Sequence, residues 1–307
     1  MIEKLFFELV RVTIGTQIRL SRIPSEAEWK VLFEIAVRQS LVGVCFIGLH
    51  RLGADSEDGF VRIGMSEDLF INWMGMAARI NVNNDAINQN CVTLQKRLSV
   101  DGFCSCVLKG QGIAALYRED LQGFRQSGDI DLWVDASKKD VIAWAMKVGM
   151  TKKPGYLHVG IRCVDTIVEL HYIPTYLRSF RHNRRLQAFC ESQKDKWTER
   201  NGMKVPSWEF YVVYQLSHIF RHLFGSGVGL RHLMDYYYLL CSRKNINSVS
   251  CKQLKYLGLY DFARAVMYVL CYVFHIDERY LICPVDEKRG KMFLKHIDHL
   301  IQVLRNY

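Results

Sequence analysis

The sequence predicts an α/β fold of the α+β kind, in which a small mixed sheet lies between an N-terminal and a C-terminal helical region. Apolar residues recur at helical spacing over residues 1–100 and again from about residue 206. Between them, residues 101–205 contain short apolar runs bounded by glycine or polar turns, which is the pattern of strands. We therefore expect a sheet-containing core at residues 101–205, with helical regions at 1–100 and 206–307.

The N-terminal region is expected to be helical because three apolar stripes follow helical spacing. The stripes are Leu5, Phe6, Leu9 and Val10; Trp29, Leu32, Phe33 and Ala36; and Ile80, Ile87, Cys91, Leu94 and Leu98. The pair Asp101-Gly102 should end the third helix, because glycine is a poor helix former.

The central region should form strands at four short segments, namely residues 103–108, 130–134, 156–163 and 166–172. A hairpin turn at Val164-Asp165 should join the last two strands. A glycine turn, Lys109-Gly110-Gln111-Gly112, precedes a short helix at residues 113–117. Ser137 and Asp140 have the spacing of a capping box, so we expect a helix from there to Gly149.

The C-terminal region shows helical patterns again. Ser207 is placed to cap a helix that extends through Phe220, and further helices are expected at residues 230–241 and 262–274.

Charge narrows the range of partners. The chain of 307 residues has a formal net charge of +10 and a sequence pI near 9.1. Such a surplus favours polyanionic partners, which include nucleotide phosphates, nucleic acid and acidic membrane surfaces. A generally basic, solvated surface explains the same charge.

Cysteine usage and hydropathy indicate a cytoplasmic protein. The ten cysteines are scattered without a Cys-x-x-Cys pair, as in reduced core residues, and only Cys104-x-Cys106 approaches the spacing of metal ligands. Charges break the apolar run at the N-terminus, so a secretory signal is not expected. The longest clean apolar run, residues 265–274, is about half a membrane span, so we expect a buried helix there.

The segment from Ser127 to Val134 carries the chemistry. Residues two apart on a strand point to one face, so Asp129 and Asp131 should project together while Ile130 and Leu132 pack behind them. Two carboxylates about 4 Å apart repel by about 4 kcal/mol at an effective dielectric near 20. A bound divalent cation removes that repulsion, and oxygen ligands suit Mg²⁺. Alternatively one carboxyl stays protonated, or the pair is solvated on an edge strand.

The surroundings of this pair favour a site. Lys109-Gly110 ends the preceding strand, and Glu169 and His171 share a face of a later strand. Since Asp129 and Asp131 repel each other, we expect their joint replacement by alanine to leave stability unchanged or raised.

These elements resemble the uncharacterised nucleotidyltransferase family of bacteria, within the polymerase β-like nucleotidyltransferase superfamily. The matching segments are Leu108-Lys-Gly110, Arg125-x-Ser-Gly-Asp129-Ile-Asp131-Leu and Glu169-Leu-His171, and residues 28–36 are similar to the helical lead-in of the family. The resemblance covers roughly residues 1–240. It departs from the superfamily at Lys109-Gly110-Gln111-Gly112, where a Gly-Ser pair is usual.

The resemblance implies roles for the matching residues. Asp129 and Asp131 would hold Mg²⁺ or Mn²⁺ against the triphosphate of an NTP such as ATP, and Glu169 would be the third carboxylate, as a metal ligand or as the group that activates the acceptor. The nucleotide would contact Lys109, Gly110, Gln111, Arg125, Ser127, Gly128 and His171.

The function implied is transfer of a nucleoside monophosphate from an NTP to an acceptor, with release of pyrophosphate. The acceptor is a small molecule, a protein or an RNA, and the sequence does not choose among them. The alternative is a catalytically inactive nucleotide- or RNA-binding module on the same fold, which the altered glycine motif and the net charge favour.

Three further features have structural explanations beside functional ones. His218 and His222 share a helical face, where ordinary core or surface histidines are expected more often than a metal pair. Arg231 and Asp235 have the spacing of a helical ion pair. A basic cluster follows the last predicted strand and is either a polyanion site or a solvated loop; its members are Arg178, Arg181, Arg184 and Arg185.

Overall fold

Helices, a small mixed sheet and further helices follow one another along the chain, in the order that the sequence predicts. The computed structural model describes residues 2–53, 59–225, 227–242 and 249–302, with side chains described as far as residue 297. The α+β fold class is therefore confirmed.

The N-terminal region consists of helices that begin and end close to the predicted stripes. They are α1 (Ile2–Ile14), α2 (Glu26–Arg38), α3 (Val42–Arg51), α4 (Gly59–Arg62) and α5 (Glu67–Val100). A reciprocal capping box between Ser25 and Glu28 starts α2. The long helix α5 ends at Asp101, and Gly102 follows with a φ of +84°, a conformation that glycine adopts without strain.

The sheet has the strand order β1-β2-β4-β3, formed by β1 (Cys104–Val107), β2 (Ile130–Asp135), β3 (His158–Cys163) and β4 (Thr166–His171). The β1–β2 and β3–β4 pairs are antiparallel, and β2–β4 is parallel. All four predicted strands and the hairpin turn are present. Val164 adopts the positive φ that this turn needs, at +52°.

The connections between the strands depart from the prediction by a few residues. Helix α6 (Gln111–Ala114) begins at Gln111 rather than at Ile113, because Gly110 turns the chain with a φ of +61°. A short helix α7 (Glu119–Gln122) follows, and α8 (Lys138–Val148) is capped by the Ser137 hydroxyl as expected. Helix α8 lies on the crossover that a parallel strand pair requires.

The C-terminal region is helical as predicted. Its helices are α9 (Phe180–Glu191), α10 (Trp208–Leu223), α11 (Leu230–Cys241), α12 (Cys251–Leu257), α13 (Tyr260–Phe274) and α14 (Glu287–Gln302), with a small hairpin of β5 (Thr198–Arg200) and β6 (Met203–Val205) before α10. The Ser207 hydroxyl caps α10 by accepting from the Phe210 amide. The basic cluster lies mostly on α9, so its interpretation as a loop is wrong.

Helix α10 covers the face of the sheet that carries Asp131. Trp133, two residues further along β2, stacks on Phe210 of α10 with 5.1 Å between the ring centroids. The Tyr211 hydroxyl donates to the Val107 carbonyl of β1 at 2.8 Å. A Cβ atom at Gly112 would collide with that hydroxyl, so the second glycine of the Lys109–Gly112 turn is needed for packing.

Nearly all buried apolar residues of the described chain belong to one cluster that extends from α1 to α14. The division at residues 100 and 205 into separate domains stays a prediction. All ten cysteines are free thiols, five of them buried, in agreement with the prediction of core cysteines. None of the described helices combines the length and apolar character that crossing a membrane would require.

A buried ion pair ties the segment before β2 to α11. The Arg125 Nε and Nη2 atoms donate to the two carboxylate oxygens of Asp235 at 2.6 and 2.7 Å, and the two side chains are 4% and 3% exposed. The Tyr117 hydroxyl donates to the same carboxylate at 2.8 Å. Burial opposes both charges, but each charge offsets the other, so the pKa of Asp235 lies below its ordinary value and that of Arg125 above it.

Breaking this pair should destabilise the fold strongly. We expect Asp235→Asn to lower the free energy of unfolding by about 3–5 kcal/mol, because it leaves the Arg125 charge buried without a counter-ion. Urea denaturation would measure the loss. Asp120→Asn is the control, since Asp120 forms half-exposed ion pairs with Arg51 and Arg118, and should cost less than about 1 kcal/mol. A loss for Asp235→Asn no larger than that of the control would contradict the prediction.

Candidate active site

Three carboxylates meet where β1 ends and β2 begins. The Leu108 amide donates to the Asp131 carbonyl at 2.9 Å, which holds the end of β1 beside the start of β2. The parallel register pairs Asp131 with Glu169, so their side chains project from the same face. Carboxylate oxygens of Asp129, Asp131 and Glu169 all lie within 4.8 Å of one another.

Only one of the two aspartates lies on the strand. Asp131 belongs to β2, whereas Asp129 immediately precedes it, because the pairing of β2 with β4 begins at Ile130 and Val168. The expectation that both lie on one strand is therefore wrong in detail. The expectation that Glu169 lies on an adjacent strand, close to both, is confirmed.

The ammonium group of Lys109 lies between the two aspartates. Its Nζ atom is 3.0 Å from Asp131 Oδ2 and 3.6 Å from Asp129 Oδ2. Burial lowers the pKa of Lys109, but the carboxylates of Asp131 and Asp129 outweigh it, so that pKa lies above its ordinary value. The lysine therefore supplies, within the chain, the positive charge that the carboxylate pair requires.

Asp131 is the buried member of the group. Its side chain is 1% exposed, and His171 Nε2 lies 3.0 Å from its Oδ1. Burial alone raises the pKa of Asp131, but Lys109 and the hydrogen bond from His171 bring it below its ordinary value. The pKa of His171 is raised in turn, because hydrogen bonds to Asp131 and Glu169 outweigh its burial. His171 thus holds Asp131 in place from below the site.

Asp129 and Glu169 face solvent more than Asp131 does. The Asp129 side chain is 41% exposed, and burial of the remainder together with the Asp131 charge raises its pKa. Glu169 Oε2 lies 3.4 Å from both His171 Nε2 and His158 Nδ1. The mouth of the site is therefore formed by Asp129 and Glu169.

His158 was missed at the level of sequence, although its position was predictable. The β3–β4 register pairs it with His171, and that register follows from the hairpin turn at Val164-Asp165. Burial and the neighbouring His171 lower the pKa of His158.

Several residues expected to contact the nucleotide form a network beneath the site. Arg125 Nη1 donates to Ser127 Oγ at 2.9 Å, and that hydroxyl donates to Gln111 Oε1 at 2.6 Å. The Gln111 amide group donates to α5 at Asn84 O and Asn88 Oδ1. Arg125 also binds Asp235, and it thereby supports the segment before Asp129. Contact of Arg125, Gln111 and Ser127 with a nucleotide stays a prediction.

The two glycines nearest the carboxylates differ in their surroundings. Gly110 needs its positive φ, whereas Gly128 has space around it for a side chain. The open space at Gly128 lies directly before Asp129. Contact of either backbone with a nucleotide stays a prediction.

A third histidine joins His218 and His222. His232, at the start of α11, places its ring centroid 5.7 Å from that of His218 and 5.0 Å from that of His222. Asp235 pairs with Arg125 and not, as expected, with Arg231. Arg231 instead donates to the Gln126 carbonyl at 2.8 Å.

A cavity of about 200 Å³ lies away from the carboxylates. It is lined by α5, the start of β1 and the β5–β6 hairpin, including Gln95, Cys104 and Lys204. Cys104 pairs with Asp135 at the far end of β2, so this cavity is separate from the candidate site.

One known family matches most of the chain. The family model described as "Uncharacterised nucleotidyltransferase" matches residues 25–276, which include every carboxylate and histidine discussed above. The chain belongs to this family. The match reaches beyond the resemblance seen in the sequence, since it includes α13. Searches of curated proteins and of solved structures found no match.

The donor set of the candidate site fits a divalent cation. Asp129, Asp131 and Glu169 offer oxygen atoms, which are the ligands that Mg²⁺ and Mn²⁺ prefer. The Lys109 ammonium lies between two of them, so the position already attracts a cation. His171 contacts Asp131 from behind, as residues that orient metal ligands do.

Lys109 changes the stability expected when Asp129 and Asp131 are both replaced by alanine. Replacing both Asp129 and Asp131 with alanine removes the two carboxylates nearest Lys109 and leaves a mostly buried ammonium group. We expect a loss of about 1–3 kcal/mol in the free energy of unfolding, rather than the gain expected from relieved repulsion. Adding Lys109→Met should recover most of the loss in the same denaturation experiment. Unchanged or higher stability of the double variant would show that repulsion dominates.

The buried histidines should make the fold sensitive to acid. Burial and the adjacent Arg231 lower the pKa of His232 to about 3, from an ordinary value of 6.5. The unfolded chain takes up a proton below about pH 6.5 and the folded chain does not, so stability is lost as pH falls toward the folded pKa. At pH 5 this group alone costs about 2 kcal/mol.

Thermal melting at pH 7 and pH 5 checks that stability falls as the pH falls. We expect the fall in melting temperature between the two pH values to be smaller for His232→Gln than for the wild type. His296→Gln, on the exposed face of α14, is the matched control, and its melting temperature should fall by as much as that of the wild type. An equal fall in all three proteins would remove His232 as the cause.

Proposed function

We propose that this chain transfers a nucleoside monophosphate from an NTP to an acceptor hydroxyl group, using Mg²⁺ or Mn²⁺ held by Asp129, Asp131 and Glu169. The observation that carries the proposal is the convergence of these three carboxylates, two of which contact the Lys109 ammonium, in a chain of a nucleotidyltransferase family. A solvated aspartate pair would have no need of a third carboxylate or of a buried histidine partner.

The reaction forms one bond and breaks one. The acceptor oxygen bonds to the α-phosphorus, the bond between that phosphorus and the bridging oxygen breaks, and pyrophosphate leaves with the electron pair. The proton of the acceptor hydroxyl is released. When bound, the divalent cation would stabilise negative charge on the phosphate oxygens.

The side chains of the site divide this work. Asp131, oriented by His171, and Asp129 would hold the cation, and Glu169 would complete the ligand set at the mouth of the site. Glu169 also lies where it can accept the acceptor proton, with His158 next to it. Lys109 balances the aspartates in the free protein and is available to pair with a phosphate.

The arginines that follow β4 differ in their availability to an acceptor. The exposed Arg181 and Arg184 on α9 would suit a polyanionic acceptor such as RNA, whereas Arg185 donates to the Tyr256 carbonyl and Arg178 to the Phe224 carbonyl.

Labelled nucleotides test the proposal directly. The protein is incubated with Mg²⁺, a cell extract and ATP, GTP, CTP or UTP labelled at the α- or the γ-phosphate. We expect a product labelled from the α-phosphate but not from the γ-phosphate. Label from the γ-phosphate would identify a phosphotransferase instead, and nucleotide binding without a product would favour the inactive binding module.

The variant Asp129→Asn tests the role of the carboxylates. Because Asp131 still pairs with Lys109, the fold should persist, but we expect product formation to fall by about tenfold or more, equivalent to about 1.4 kcal/mol or more. The matched control is Asp135→Asn at the other end of β2, where the carboxylate pairs with Lys194. Full activity in Asp129→Asn, or an equal loss in the control, would contradict the proposal.

A further inference from the structure

Three side chains between α10 and α11 have buried nitrogen atoms without hydrogen-bond partners. They are Nη1 of Arg221, Nε of Arg231 and Nδ1 of His232. Buried polar groups are almost always satisfied in native proteins, and each one left without a partner destabilises the fold. An arginine nitrogen can only donate, so the two arginine atoms require acceptors.

The same region carries an excess of positive charge. Burial and the charges of Arg221, Lys109 and Arg231 together lower the pKa of His222 to about 4. The nearest anionic group on α11, Asp235, has both of its oxygens bound to Arg125. Arg231 consequently has a lowered pKa, from burial and from the charge of Arg125.

This region adjoins the carboxylate site. Arg231 Nη1 donates to the carbonyl of Gln126, three residues before Asp129. His218 lies one turn beyond Tyr214 on α10, with 5.9 Å between the ring centroids, on the helix that covers the face of Asp131. Burial and the charge of Lys109 both lower the pKa of His218, so the histidines lie within electrostatic reach of the lysine that contacts the carboxylates.

An anion suits the cluster better than a metal ion does. Three histidine nitrogens lie within 4.8 Å of one another, which resembles a zinc ligand set. A dication, however, would add charge beside Lys109, Arg221 and Arg231 and would leave both arginine nitrogens without acceptors. Phosphate oxygens would supply the acceptors and offset the positive charge.

We propose that Arg221, Arg231, His218, His222 and His232, here called the polyphosphate pocket, bind the β- and γ-phosphates of the NTP. The inference rests on the proposed function and names the part of the site that holds the leaving group. The pocket adjoins the carboxylate site through the Arg231 contact with Gln126, so one triphosphate chain would contact both. Its arginines, rather than Arg125, whose guanidinium group donates to Asp235 and Ser127, would supply the positive charge.

Binding of inorganic tripolyphosphate tests the pocket separately from the reaction. Calorimetric titration is done in EDTA, so that no divalent cation takes part and the carboxylates contribute no affinity. We expect the wild type to bind, with an affinity that falls as salt rises. Arg221→Gln/Arg231→Gln should weaken binding by about tenfold or more. Arg79→Gln/Arg162→Gln makes the same change of charge at exposed positions on α5 and β3 and should stay within about twofold of the wild type.

Folding of each variant is checked by circular dichroism. If the loss of the Arg231 contact with Gln126 unfolds the double variant, Arg221→Gln alone serves, since it keeps that contact and Arg221 packs over the Tyr176 ring. Equal binding by wild type and pocket variants, or an equal loss in Arg79→Gln/Arg162→Gln, would overturn the proposal. Stoichiometric Zn²⁺ binding that His218→Gln/His232→Gln abolishes would also overturn it, in favour of a metal centre.

The two proposals fail in different ways. Asp129→Asn should keep its affinity for tripolyphosphate in EDTA while losing product formation. Tripolyphosphate binding without nucleotidyl transfer by the wild type would leave the pocket in place and remove the proposed function. If nucleotidyl transfer persists when the pocket arginines are replaced, the pocket proposal is wrong and the proposed function stands.

Discussion

The burial of one carboxylate, that of Asp131, sets the conditions for the rest of the site. A buried carboxylate is stable only with opposite charge and hydrogen bonds beside it, and this one has Lys109 on one side and His171 on the other. The lysine must come from the end of β1 and the histidine from β4, so the strand order β1-β2-β4 is the arrangement that brings both to Asp131. The strand order and the neutralisation of the Asp131 charge therefore depend on each other.

Local patterns in the sequence were enough for the fold class and for the carboxylates. Period-two alternation identified the strands, and the shared face of Glu169 and His171 followed from it. The parallel register between β2 and β4 then decided that Glu169, rather than another acidic residue, faces Asp131. That register connects residues 38 positions apart in the chain and leaves no local signal, so the convergence rested on resemblance until the structure was known.

The partners of the charged side chains were the least predictable feature of the site. The spacing of Arg231 and Asp235 indicated a helical pair, but Asp235 binds Arg125, which is 110 residues away. The resemblance implies that Lys109 and Arg125 both contact the nucleotide. In the structure Lys109 pairs with the aspartates and Arg125 pairs with Asp235, and contact of either with a nucleotide stays a prediction. Residue type gives the sign of a charge, whereas its partner depends on tertiary packing.

The glycine turn shows how packing can imitate a functional motif. Gly110 is required by its backbone conformation, and Gly112 is required because the Tyr211 hydroxyl occupies the space of a side chain. Neither requirement involves a ligand. Selection on this turn would therefore persist in a descendant that had lost its carboxylates, as long as α10 kept its tyrosine. A search that weights these glycines would gather such descendants together with active enzymes, and the residues at 129, 131 and 169 would be needed to tell them apart.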